Sequence, residues 1–162
     1  MFDESWSLAT ERLVLRPARA NDLPFVTGVW TDARVRIFLG GAITNEEAVR
    51  RIWPRIDAGE LLVIYSLDSE QFVGLLSVGD CHEQKLELSY LLTPEHWNRG
   101  YATEAITALL SKLKSSFPAH RLFANTQAAN TPSQKLLLRL GFREERRHVE
   151  FGALQITYGI EL

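Results

Sequence analysis

The sequence predicts one α+β (mixed α/β) domain, residues 1–162, with a central, mostly antiparallel sheet flanked by helices. Three observations carry that prediction. Residues 61–67, 72–78 and 86–92 are β-rich and separated only by short polar turns, the pattern of an antiparallel meander. The stretch from 86 to 126 reads strand, helix, strand, and such a crossover makes its two strands parallel. No Gly/Ser-rich linker, repeat or low-complexity tract divides the chain.

In chain order, ERLVLR at 11–16 alternates polar and apolar residues and reads as an opening strand ended by Pro17. Asn21 or Asp22 caps a first helix, with Pro24 tolerated in its first turn and Leu23, Val26 and Trp30 at helical spacing. Thr44 with Glu47 three residues on is a capping-box pattern, which predicts a helix over 45–58 that stops at Gly59. Pro54 inside it is expected to kink or shorten it. After the meander, TPEHWNRG is a loop and ATEAITALLSKLK a helix with Ala105, Leu109 and Leu113 on one face, broken by Pro118. A strand at 121–126 follows, then a helix opened by Pro132 and ended by Gly141. Residues 143–151 and 155–161 form a closing hairpin around Gly152.

Composition narrows the function. Lys and Arg number 18 against 20 Asp and Glu, a net charge of −2, which argues against a nucleic-acid partner. At 46% hydrophobic and 23% charged, the chain is neither disordered, collagenous nor a coiled coil. Cys81 is the only cysteine, so neither an intramolecular disulfide nor a Cys-rich zinc site can form. His96, His120 and His148 lack metal-ligand spacing, and no metal is expected. Cys81 and His82 are neighbours on a turn, a poor arrangement for a nucleophile and its base. The start, MFDESWSLATER, is acidic with no apolar h-region, and the longest apolar runs fall far short of the ~20 residues of a spanning helix. A soluble, cytoplasmic protein without membrane contact is expected.

Two segments carry chemistry. WNRGYATEA puts Asn98, Arg99, Gly100, Tyr101 and Ala102 where a strand gives way to a helix. Unpaired amides and the helix dipole meet there, and Gly100 lets a ligand approach the backbone, which suits a pyrophosphate. Read alone, the same loop is also a helix start whose amides meet only water. NTPSQKLLLRLGF, residues 130–142, read alone is a well-built structural helix with a Leu136, Leu137 and Leu140 stripe.

Taken together and in this order, these segments resemble the GNAT superfamily of acyl-CoA-dependent N-acetyltransferases, in the branch that includes the ribosomal-protein-alanine N-acetyltransferases. TERLVLRPARANDLPFV, LELSYLLTPEHWNRGYATEA and the closing strands share the resemblance, which spans nearly the whole chain. It implies the GNAT sheet with its one parallel pair splayed, acetyl-CoA as co-substrate, and transfer to a small-molecule amine or a protein N-terminus. A non-catalytic acyl-CoA-binding or scaffold module of the same fold is the alternative. The resemblance puts the pyrophosphate loop on Asn98, Arg99, Gly100, Tyr101, Ala102 and Thr103, with Trp97 where Gln or Arg usually opens it. It puts the pantetheine arm beside the strand ending in Leu91, Leu92 and Thr93, and makes Asn130 and Ser133 coenzyme contacts. A monomer or a homodimer through the C-terminal strands fits the family.

Acetyl transfer needs a neutral amine, hence a base, and the departing thiolate can take a proton. Glu87 is the first candidate base. It alternates with Leu86 and Leu88, so its carboxylate faces the opposite side, although a solvated strand glutamate has the same pattern. Glu150, before the closing turn, is the second. Ser133 is the candidate acid, unless it only satisfies the helix end. The tyrosine that many members carry seven residues after the asparagine is Leu137 here. Glu46, Glu47 or Glu150 in the pocket would favour a cationic acceptor.

Overall fold

A computed structural model describes residues 2–80 and 84–162. The turn carrying Cys81 and His82 lies outside the described residues. The chain builds strands β1 (Leu8–Ala9) and β2 (Leu13–Pro17), then helices α1 (Leu23–Thr31) and α2 (Asn45–Asp57). The meander follows as β3 (Leu61–Ser66), β4 (Phe72–Asp80) and β5 (Lys85–Leu92). Helix α3 (Tyr101–Ser116), β6 (Arg121–Gln127), α4 (Thr131–Arg139), β7 (Arg143–Glu150) and β8 (Ala153–Glu161) complete it.

Among the described residues, eight strands join one sheet in the order β1-β2-β3-β4-β5-β6-β8-β7. Every neighbouring pair is antiparallel except β5 and β6, which run parallel from Lys85↔Arg121 to Glu87↔Phe123. Beyond that pair β5 continues to Leu92 and β6 to Gln127 without pairing to each other, so the two strands part after Glu87.

Each face of the sheet has its own helices. On one, Leu15, Leu76, Leu86 and Leu88 pack with Ile106, Leu109 and Leu113 of α3 and Leu137 of α4. On the other, Val63 and Leu75 pack with Val26 and Val29 of α1 and Ile52 and Ile56 of α2. Because both faces are covered, β3 buries Leu61, Leu62, Val63 and Ile64 in succession, which is why its sequence is a continuous apolar run. Each such side chain contributes about 1.5–3 kcal/mol.

Two local expectations, at Pro17 and Pro54, are revised, and one short strand is added. Pro17 is the last paired residue of β2, opposite Leu62, and does not lie beyond the strand. The two-residue β1, too short for any period, is held by Leu8↔Leu15 and Ala9↔Val14. Pro54 does not shorten α2, which runs on to Asp57 and stops at Gly59 (φ 64°). Ile52 and Ile56, buried on either side of the proline, anchor that last turn against the sheet and outweigh the lost backbone bond. Thr44 caps α2 by accepting from the Glu47 amide at 3.2 Å. The Glu47 carboxylate, however, turns outward to Arg50 and Arg51.

A candidate active site where two strands part

The loop after β5 is shaped by local chemistry. A short 3-10 turn, Pro94–His96, folds back on the strand: the Trp97 indole donates to the Leu92 carbonyl at 2.9 Å, and Thr93 Oγ1 lies 2.7 Å from His96 Nδ1. His96 is buried with its ring 5.8 Å from that of Tyr101. Burial and the nearby Arg99 hold its pKa below the usual imidazole value. Asn98 (φ 57°) and Gly100 (φ 80°) then take left-handed conformations, and Gly100 is the N-cap of the 16-residue α3. As a glycine it supplies no capping side chain, so the first-turn amides, Tyr101, Ala102 and Thr103 among them, keep the donors that a helix start cannot use internally. Free helix-start amides with the helix dipole behind them are the kind of donor that suits an anion.

Arg12, which sequence reasoning passed over, braces this loop from the β1–β2 turn. Its Nη1 donates to the Arg99 carbonyl at 3.0 Å and its Nε to Glu104 at 2.7 Å, while the guanidinium lies 4.6 Å over the Tyr101 ring. Glu104, in the first turn of α3, also accepts from the Thr10 hydroxyl at 2.6 Å and the Arg12 amide at 2.9 Å. Burial raises the Glu104 pKa, but these hydrogen bonds outweigh it and hold the carboxyl below its ordinary range.

The strands part beside this loop. The Thr93 amide donates to the Val73 carbonyl, so Thr93 and, by alternation, Leu91 turn their backbone groups toward β4. Tyr90 and Leu92 therefore turn theirs toward the opening, where the Leu92 carbonyl is already taken by Trp97. Side chains alternate in the same way. Leu86, Leu88 and Tyr90 face α3 and α4, while Glu87, Ser89 and Leu91 face α1 and α2.

Glu87 sits at the last parallel pair, where the opening begins. Its carboxylate accepts from Asn125 Nδ2 at 2.9 Å, and Asn125 Oδ1 accepts from the Thr157 hydroxyl at 2.6 Å, a polar row across β5, β6 and β8. On the α3/α4 face, Ser133 in the first turn of α4 places its hydroxyl 2.7 Å from that of Tyr90. Asn130 Oδ1 caps α4, accepting from the Ser133 amide at 3.3 Å. Ser133 thus starts a helix and also meets a side chain from the far wall of the opening.

Glu150 is not gathered with these residues. It ends the outermost strand β7, three strands from Glu87 in the sheet order, with its carboxylate 3.3 Å from His148 Nε2. Glu46 and Glu47 lie in the first turn of α2. Asp32 at the C-terminal end of α1, Glu70 in the β3–β4 turn and Glu95 in the loop after β5 instead line a groove of about 640 Å³ with Phe25, Phe72 and His96. Arg34 pairs with both Asp32 and Glu95. Among the described residues, no group of three or more His, Cys, Asp or Glu side chains gathers as a metal site. No described helix is long and apolar enough to cross a membrane.

Comparison with known proteins agrees with this geometry. The acetyltransferase (GNAT) domain family matches residues 12–143. The uncharacterized N-acetyltransferase p20 of Bacillus licheniformis is 28% identical over 149 residues, covering 86% of this chain and 83% of its own. An acetyltransferase of the GNAT family from Bacillus anthracis superposes with a TM-score of 0.86 at 23% identity, covering 96% of this chain and 98% of the other. Spermidine N-acetyltransferase from Vibrio cholerae, solved with CoA and spermine, gives 0.80 at 18% identity over 93% and 96% of the two chains. The acetyltransferase from Salmonella typhimurium that modifies the N-terminal serine of ribosomal protein L7/L12 gives 0.79 at 17% identity over 94% and 96%. The chain belongs to the GNAT family of acetyltransferases and is an acetyl-CoA-dependent N-acetyltransferase.

Proposed function

We propose that the chain moves an acetyl group from acetyl-CoA directly to an amine, with both substrates bound at once. The observation that carries this reading is the parting of β5 and β6 beside an N-terminus of α3 that no side chain caps. The diphosphate rests on the amides from Asn98 to Thr103, with Arg99 at its edge. The pantetheine arm follows the unpaired edge of β5 at Tyr90 and Leu92, adding to it like a strand, and passes Asn130. That aims the thioester at the end of the parallel pair, where Glu87 faces the α1/α2 side.

Each residue then has a task. Glu87, directly or through water, takes a proton from the amine so that its lone pair can attack the carbonyl carbon. Holding both reactants supplies much of the acceleration, and no covalent enzyme intermediate is needed. Ser133 faces the departing sulfur. Glu150 is the weaker candidate base, since β6 and β8 lie between its strand and that of Glu87. The acceptor is a small-molecule amine or a protein N-terminus.

A thiol-release assay across amino acids, polyamines, aminoglycosides and N-terminal peptides tests the proposal. Release that depends on one amine class, with a matching mass gain of one acetyl group, is the expected result. Coenzyme binding without release on any class of amine would leave only the binding half standing.

A further inference from the structure

We infer that Tyr90 is a positioning residue for the reaction, holding the Ser133 hydroxyl and replenishing the proton that Ser133 gives to the leaving sulfur. This rests on the proposed coenzyme path between β5 and α4.

The argument is a count of hydrogens. Tyr90 and Ser133 are separated by 43 residues and come from opposite walls of the opening, yet their hydroxyl oxygens lie 2.7 Å apart. Two hydroxyls own two hydrogens, and the bond between them uses one. Whichever oxygen donates, one hydrogen is left over. When Tyr90 donates to Ser133, the spare hydrogen is the serine's, free to point into the opening. Leu137, the position where many family members have a tyrosine, is fully buried in the core and offers no proton at all. Tyr90 supplies a phenol to the same cleft from the other side. Burial raises its pKa, partly offset by the Ser133 hydrogen bond, so it stays protonated over the range in which an amine acceptor works.

The proton balance closes. The amine nitrogen forms a bond to the carbonyl carbon, and the carbon–sulfur bond breaks with its electron pair going to sulfur. Sulfur takes the Ser133 hydroxyl proton as Ser133 Oγ takes the proton of Tyr90. The proton that Glu87 takes from the ammonium before attack passes to solvent. The attacking nitrogen sheds a second proton as the carbon–sulfur bond breaks, and that proton, returned through solvent, converts the phenolate back to the phenol. The products are an amide and a free thiol.

Tyr90→Phe removes one oxygen and keeps the packed ring. The expected result is a kcat lowered about tenfold or more, with KM for acetyl-CoA within about twofold, because nothing that holds the coenzyme is removed. Ser133→Ala should be at least as slow, and the double variant no slower than Ser133→Ala, as for residues acting as one unit. Ser133→Thr, which retains a hydroxyl, should recover much of the loss. Tyr90→Phe turnover equal to wild type, multiplying losses in the double variant, or Ser133→Thr as slow as Ser133→Ala would each overturn the assignment. Calorimetric binding of coenzyme A to the wild-type protein separates the two levels. Binding with an indifferent Tyr90→Phe removes this inference alone, whereas no binding removes the reading beneath it.

Discussion

Two glycines of β4 should respond very differently to the same substitution. Gly74 lies opposite Leu92, and a Cβ built on it would stand 2.9 Å from the Leu92 Cα and closer still to the Leu91 carbonyl oxygen. Both are backbone atoms of β5, so relief requires the strands to separate. Overpacking of a tight site costs about 1–3 kcal/mol, and a backbone clash belongs at the top of that range. For a chain of this size ~3 kcal/mol lowers Tm by roughly 6–12 °C. Gly79, five residues on in the same strand, has nothing within 4 Å of its would-be Cβ. There alanine restricts the unfolded chain and should be neutral or add up to about 1 kcal/mol. Thermal unfolding followed by circular dichroism measures both. Gly74→Ala should also weaken coenzyme binding, since the displaced residues lead into the loop. Equal Tm values for the two variants would refute the claim that close approach of β4 fixes the end of β5.

Other expectations concern the loop, the base and the packing beneath them. Gly100→Ala forces alanine to φ 80° with its Cβ 3.4 Å from Arg12 Nη2; the left-handed backbone costs about 1–2 kcal/mol, a Tm loss of roughly 2–8 °C. It should also shrink the ~2.7 kcal/mol of stabilisation that coenzyme at a hundred times its Kd gives the wild-type protein, read from paired thermal scans. Glu87→Gln should lower kcat about 10²–10⁴-fold with coenzyme affinity unchanged, checked by steady-state kinetics beside calorimetry. Asp22 is buried and accepts from both Arg16 terminal nitrogens at 2.8 Å, from the Tyr65 hydroxyl at 2.8 Å and from the Arg19 amide at 2.7 Å. Burial raises its pKa, but those donors prevail and hold it below the ordinary value. Its stabilisation is therefore present at neutral pH and lost as pH falls below about 4. Asp22→Asn strands the half-buried Arg16 and should cost about 2–4 kcal/mol at pH 7, the gap to wild type closing on acidification in urea titrations.

The fold was legible because its signals are local. β-rich runs with short turns gave the meander, and the strand–helix–strand order over 86–126 gave the parallel pair, since β5 and β6 cannot otherwise be joined through α3. The cap at Thr44, Pro132 at the start of α4 and the glycine after α2 marked helix ends by chemistry confined to a few residues. What escaped reading is what tertiary packing decides. Pro54 stays helical because Ile52 and Ile56 are anchored. The loop motif around Gly100 was readable, but not its brace, because Arg12 and Glu104 meet across 92 residues. Tyr90 went unnoticed for the same reason: as one aromatic in an alternating strand it signals packing until α4 brings Ser133 to it. Glu150 was suggested by its place before the closing turn, where some members of the resembled branch carry a glutamate, while the order β6-β8-β7 sets it at the edge of the sheet.

The central claim is that amides at the start of α3 hold the coenzyme's diphosphate. Co-crystallisation with coenzyme A tests it most directly. The account predicts diphosphate oxygens within hydrogen-bond reach of the backbone nitrogens between Asn98 and Thr103, with the thiol arm leading toward Ser133. Coenzyme seated elsewhere on the protein, with that helix start filled by water or by the chain's own side chains, would contradict it.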